Sequence, residues 1–177
     1  MLKANSTLQQ ISRWDMEACL FFNRLSRHLS IRSLFRIASR LGDGVFWYVL
    51  MSALLLRYRA EALPAVTHMV LAGGAGVLIY KLIKHKTLRP RPFNVSPDVV
   101  CAYRTLDQFS FPSGHTMQAT LFSIVAAYYF PALIWLVVPF SIMVALSRPI
   151  LGLHYPSDVL AGALIGAALA SISIFLA

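Results

Sequence analysis

Two histidines, an aspartate and three cations sit in short polar stretches of an otherwise apolar chain. Lys84 and Arg91 stand in KHKTLRPRPF, His115 in FPSGHTMQ, and Arg148, His154 and Asp158 in SRPILGLHYPSD. An imidazole held through one nitrogen by a carboxylate presents its other nitrogen as a base or nucleophile. Pro156 marks a helix start between His154 and Asp158, which places the carboxylate in the first turn beside that ring. Ser113 is suited to cap the helix that follows it, and Gly114 lets a ligand approach the backbone. Free N–H groups and the positive helix end then form an anion site. His115, in the same first turn, can donate a proton. Pro90 and Pro92 stiffen the backbone around Arg91 and so fix where its side chain points.

Taken singly, each stretch has a plain structural explanation. Lys84 and Arg91 resemble cations that snorkel at a helix end, Ser113 an ordinary cap, and Asp158 a complement to the helix dipole. Taken together they share one depth. From His115 to Arg148 the chain crosses one span and returns, about 16 residues each way at about 1.5 Å per residue. One polar pocket follows, holding cations and helix N–H groups for a phosphate, a histidine with a carboxylate partner, and a second histidine. That inventory suits phosphoryl transfer through a covalent intermediate.

The elements that must position these groups are membrane helices. The chain has 177 residues, 58% hydrophobic and 13% charged, with a net charge of +9. Its mean hydropathy is +0.65. A soluble domain carries about 25% charged residues, so disorder, collagen and a water-soluble globule are excluded. Segments 64–83, 114–130, 132–149 and 157–177 suit a hydrocarbon core about 30 Å thick, and a shorter one lies at 43–60. The expectation is a single all-α domain over 1–177, an integral membrane helical bundle of about five transmembrane helices at 43–177. Residues 15–41 alternate arginines with Leu, Ile and Phe, which predicts an interfacial amphipathic helix rather than a span. Gly73, Gly74, Gly76, Gly162 and Gly166 predict close helix contacts. The parity of five spans puts every one of the sixteen Lys and Arg except Arg57 and Arg59 on the face that carries the motifs. A basic excess so placed points to anionic groups at a membrane surface, not to nucleic acid. Cys19 and Cys101 make no disulfide framework or zinc spacing and read as packing residues. The N-terminus shows no removable signal peptide.

The three stretches resemble the signature of the type 2 phosphatidic acid phosphatase superfamily, which also contains vanadium haloperoxidases. Its blocks are matched by Lys84 to Arg91-Pro92, by Pro112-Ser113-Gly114-His115, and by Ser147-Arg148 to His154 and Asp158, with the resemblance spanning roughly 44–177. The resemblance implies that His154 attacks phosphorus to give a phosphohistidine and that Asp158 orients it. It implies that His115 protonates the leaving oxygen and then activates water. Lys84, Arg91, Ser113, Gly114 and Arg148 would hold the phosphate, with no metal and no cofactor, and Arg89 would be an extra cation for a second phosphate. The expected activity is hydrolysis of a lipid phosphate or diphosphate: undecaprenyl diphosphate, phosphatidylglycerophosphate or phosphatidate. Many undecaprenyl-diphosphate phosphatases of this type carry Asp where Gly114 stands, which weighs against that substrate. The alternative is a non-catalytic polybasic scaffold binding anionic lipid; a haloperoxidase is disfavoured because those relatives are large and soluble. Counting basic residues puts the motif face in the cytoplasm. The resemblance puts it on the periplasmic face of a bacterial inner membrane, and that is the expectation followed here.

Overall fold

The computed structural model describes residues 2–105 and 107–177, with side chains from Gln10 onward. Its regular elements are helices: α1 (Leu2–Arg24), α2 (Leu29–Arg40), α3 (Phe46–Tyr58), α4 (Leu63–Thr87), α5 (Pro92–Val95), α6 (Gly114–Tyr129), α7 (Ile134–Ile150) and α8 (Pro156–Leu176). This is the all-α architecture expected. Three helical runs among the described residues are long and apolar enough to cross a membrane: Leu29–Thr87, Pro131–Ile150 and Pro156–Leu176. The first contains both α3 and α4, joined by a tight turn at Arg59–Ala62. The segment expected to span at 114–130 is α6, whose 16 residues rise only about 24 Å.

α6 is the centre of the bundle, with α4, α7 and α8 packed around it. Lipid tails are as apolar as leucine, so close backbone approach and interhelical hydrogen bonds hold such a bundle together. Both occur here. A Cβ on Gly162 of α8 would lie 2.5 Å from the Ser113 carbonyl oxygen, and one on Gly166 would strike the Met117 carbonyl oxygen. A Cβ on Gly73 of α4 would meet the Phe122 ring at 2.6 Å, whereas one on Gly74 would meet nothing. The close contacts expected of these glycines hold at Gly73, Gly162 and Gly166, and at Gly76, where a Cβ would lie 3.2 Å from Gln118 Nε2, and fail at Gly74. Between α6 and α7, Ser123 and Ser141 hydroxyls lie 2.6 Å apart, and Ser141 donates to the Ala119 carbonyl at 3.1 Å. At the end remote from the motifs, His68 bonds Tyr129 of α6 at 3.1 Å and Ser173 of α8 at 2.9 Å. Trp47, Met69, Leu121, Val125, Val137 and Val144 fill the buried core between these helices.

The single amphipathic helix expected over 15–41 is two helices. A short turn at Leu25–Arg27 and an extended His28 (φ −78°, ψ 120°) separate α1 from α2. Side chain to backbone bonds compete with the helix there. The Ser26 hydroxyl donates to the Asn23 carbonyl at 2.8 Å, and Arg32 Nε donates to the Ser26 carbonyl at 2.8 Å. Asn23 in turn clamps two loops, donating to Val100 and Ile150 carbonyls at 3.0 Å. Past α2 the helix widens into a π turn at Leu41–Val45, with Gly44 at φ 135°, before α3 begins. Cys19 is a buried packing residue, as expected, whereas Cys101 is exposed and does not pack in the core; both are free thiols.

Candidate active site

α4, α6 and α7 deliver their polar ends to one place, and the loop before α8 closes it. A cavity of about 160 Å³ is lined by Lys84, Arg91, Gly114, His115, Arg148 and His154, together with Asp43, Tyr80, Asp107 and Gln118. Six of the eight residues expected at the site therefore line it. Asp158 lies just behind His154, and Ser113 is turned away.

His154 is 2% exposed in the loop between α7 and α8. Its Nε2 lies 3.4 Å from Arg91 Nη1, on the cavity side. Its Nδ1 faces Asp158 Oδ2 at 3.7 Å, beyond hydrogen-bond reach, and has no other partner among the described residues. Asp158 is instead bonded by the Tyr155 N–H at 2.9 Å as part of a capping box at the start of α8. Burial, and then the positive charges of Arg148, Arg91 and Lys84, hold the His154 imidazole well below its ordinary pKa. The ring is neutral at neutral pH, with a lone pair free on a nitrogen.

The cations are held by side chains that sequence reasoning passed over. Asp107, in the loop before α6, bridges Lys84 Nζ at 2.8 Å and Arg91 Nη2 at 2.7 Å. Burial alone would raise the Asp107 carboxyl, but the Lys84 and Arg91 partners outweigh it and hold it below the ordinary carboxylate range. Arg91 is fixed further by the Leu153 carbonyl at 2.6 Å and the Asp107 carbonyl at 3.1 Å. Arg148, 3% exposed, donates from Nη1 to Ser39 of α2 at 2.7 Å. Its Nε has no partner among the described residues, a buried donor available to an anion. His115 Nε2 is bonded to Asp43 of the π turn.

Two expectations are corrected in detail. Ser113 caps α6 as expected, but its hydroxyl lies 2.9 Å from the Thr116 hydroxyl and is fully buried, so it does not face the cavity. The cap geometry that satisfies the helix end takes the hydroxyl away from a ligand. Arg89, expected as a cation for a second phosphate, pairs with Asp158 and Asp15 at 2.6 Å each and does not line the cavity. Asp43, Asp107 and Asp15 carried no sequence signal of their own, being single acidic residues outside the motifs, even though Asp107 stands only five residues before Pro112. The one available hint was their rarity: the chain has only seven Asp and Glu, in the company of sixteen Lys and Arg.

Fold and site together define a helical membrane protein with a cation-lined, two-histidine cavity at one end of its bundle. The PAP2 superfamily model matches residues 65–176, and the chain belongs to that superfamily. Among curated relatives, an undecaprenyl-diphosphatase of Sulfolobus acidocaldarius is 26% identical over 147 residues, 82% of this chain and 70% of that protein. The decaprenylphosphoryl-5-phosphoribose phosphatase of Mycobacterium tuberculosis is 37% identical over 119 residues, 64% of each chain. Undecaprenyl-diphosphatase BcrC of Bacillus subtilis is 30% identical over 136 residues, 77% of this chain and 70% of that one. Two crystal structures share the fold. A transmembrane PAP2 type phosphatidylglycerolphosphate phosphatase from Bacillus subtilis has TM-score 0.73 at 23% identity, covering 94% of this chain and 86% of that one. Aquifex aeolicus LpxE has TM-score 0.72 at 24% identity, covering 90% and 93%.

Proposed function

We propose that the protein is a membrane lipid phosphatase that removes a terminal phosphate through a phosphohistidine on His154. The observation that carries this is the orientation of His154, with Nε2 toward the cations and Nδ1 toward a buried carboxylate. The phosphate enters the cavity and displaces Asp107 from Lys84 and Arg91. Those two, Arg148 and the N–H groups at the start of α6 take its oxygens and stabilise the charge that develops on them. His154 Nε2 forms a bond to phosphorus as the bond to the leaving oxygen breaks, and His115 gives that oxygen a proton. Asp158 steadies the ring and the positive charge it acquires. Water then attacks phosphorus, losing a proton to His115 as the P–N bond breaks, which frees inorganic phosphate and restores both histidines.

This chemistry is proposed to need no metal ion. Both carboxylates that line the cavity are engaged, Asp43 by His115 and Asp107 by Lys84 and Arg91, and no cluster of ligand-type side chains remains among the described residues to hold one. The relatives act on polyprenyl diphosphate, polyprenyl-phosphoribose phosphate or phosphatidylglycerol phosphate by their names, and a lipid phosphate of that kind is the proposed substrate. The whole chain is proposed to act as one phosphatase domain.

The motif end is proposed to face the periplasm of a bacterial inner membrane. The basic residues there are poor topology signals, because Lys84, Arg91 and Arg148 serve the site, while Arg89, Arg32 and Arg36 are tied to partners in the fold. Labelling single cysteines at Asn94 and Glu61 with an impermeant reagent in intact cells tests this; labelling at Glu61 alone reverses the orientation. The activity is tested with purified protein on undecaprenyl diphosphate, phosphatidate and phosphatidylglycerophosphate. His154→Ala is expected to abolish phosphate release while remaining folded. Release that persists in that variant rules out the nucleophile, and binding of all three lipids with no turnover by the unmodified protein favours a lipid-binding scaffold.

A further inference from the structure

The π turn between α2 and α3 is built at some cost and directed at one side chain. Its five residues, LGDGV, contain two glycines that no other residue type replaces easily. Gly44 holds φ at 135°, a conformation that strains any L side chain, and a Cβ on Gly42 would lie 2.9 Å from Val144 Cγ2 of α7. Val144 is one turn before Arg148, so the turn is pressed against the helix that carries a cavity cation. Gly44 is non-helical (φ 135°, ψ −31°) and kinks the chain between α2 and α3, and backbone strain is retained where the surroundings impose it. What this turn achieves is to bring the Asp43 carboxylate to His115 Nε2, with both side chains on the cavity wall.

We infer that Asp43 is a positioning residue that holds the His115 imidazole for proton transfer to and from the leaving group. The inference rests on the phosphatase reading above. The bond to Nε2 stops the ring from turning and leaves Nδ1 to serve the reacting oxygen. The lipid phosphate enters as its monoanion and passes its proton to His115 Nδ1; in the first step, the P–O bond breaks as the P–N bond to His154 forms, and that proton passes to the departing oxygen. In the second step, water gives its proton back to Nδ1 as its oxygen bonds to phosphorus and the P–N bond breaks. The site thus contains two carboxylate–histidine pairs with different tasks, His154–Asp158 for bond formation and His115–Asp43 for the proton.

Leaving-group dependence separates this role from a structural one. An alkoxide leaving group needs a proton, whereas p-nitrophenolate departs without one, so general-acid assistance of about 10²–10⁴-fold matters only for the former. Purified Asp43→Asn, His115→Gln and His154→Ala are compared with the unmodified chain on phosphatidate and on p-nitrophenyl phosphate. Asp43→Asn is expected to lose roughly 100-fold in kcat on phosphatidate, like His115→Gln. On p-nitrophenyl phosphate it is expected to retain a first-turnover burst of p-nitrophenol before a slow steady state. Asp43→Ala is expected to regain activity on phosphatidate when formate is added. The inference is overturned if Asp43→Asn turns over phosphatidate normally, or if it loses the burst and the lipid activity in equal proportion. It is also overturned if both Asp43 variants unfold, because the pair would then hold the fold and not the proton. A p-nitrophenol burst from His154→Ala would overturn the His154 nucleophile, and no turnover of either substrate by the unmodified chain would overturn the phosphatase reading, which keeps both failures distinguishable from that of Asp43.

Discussion

Arg89 grips Asp158 on the side of the carboxylate turned away from His154. Its Nη1 lies 2.6 Å from Oδ1, while Oδ2 accepts from the Tyr155 N–H at 2.9 Å and faces the histidine. The other arm of the same guanidinium holds Asp15 of α1 at 2.6 Å, and Arg89 stacks 4.0 Å from the centre of the Tyr155 ring. A buried carboxylate with one cationic partner is stable only while that partner stays.

Arg89→Ala is therefore expected to destabilise the protein. Loss of one partner of a fully buried pair costs about 3–5 kcal/mol, and the 26% exposure of the Arg89 side chain reduces this to about 2–3 kcal/mol. The check is the unfolding midpoint in detergent, where Arg89→Lys should recover only part of the loss because it lacks the two-armed fork.

Asp107 occupies Lys84 and Arg91, the cations proposed to hold the phosphate. Asp107→Asn removes a competing anion, so inorganic phosphate should bind more tightly, by roughly tenfold if about 1.4 kcal/mol of competition is relieved. Product inhibition of lipid hydrolysis measures it. An inhibition constant equal to that of the unmodified chain would show that Asp107 and phosphate do not compete. Because Lys84 and Arg91 hold the Asp107 carboxyl below its ordinary range, the competition should persist through mildly acidic pH.

His154 makes stability depend on pH in a definite direction. Its folded pKa is depressed from 6.5 by burial and by nearby cations, so the unfolded chain takes up the proton first. The stabilising contribution is complete above about pH 6.5 and declines as pH falls toward the folded value. In phosphate-free buffer the unfolding midpoint should drop between pH 7 and pH 5, and His154→Gln should drop less. Asp107 lies outside this window, since its contribution is lost only on falling through a pKa below 3.8.

The glycines separate packing from site geometry. Gly162→Ala forces a Cβ against the Ser113 carbonyl oxygen at 2.5 Å, which should cost about 1–3 kcal/mol. It should also displace the start of α6, lowering kcat more than stability alone explains. Gly74→Ala meets open space and should be neutral or stabilise α4 by up to about 1 kcal/mol. Melting and turnover on the same preparations decide both.

Much of the site was legible because helix ends carry it. Lys84, Arg91, His115, Arg148 and His154 converge since each stands at or near the end of a helix, and α6 and α7 return the chain to the depth at which it started. The Asp partners were not legible, because neither Asp43 nor Asp107 shares a motif or a period with the group it serves. Asp43 reaches His115 across 72 residues through a π turn, a geometry that a 3.6-residue period does not anticipate. The break at His28 was hidden for a related reason. Its cause is local bonding by Ser26 and Arg32, while the hydrophobic pattern continues across it.

The central helix α6 is shorter than a bilayer core is deep. With its Phe130 end level with one edge of a hydrocarbon core about 30 Å deep, the 16 residues of α6 stop about 6 Å below the other edge. On the proposed function, a cavity at Gly114 placed at that depth would draw the phosphate toward the acyl chains to meet the cations. A thinner membrane would shorten that descent, so turnover in vesicles of graded acyl-chain length is expected to rise as the bilayer thins.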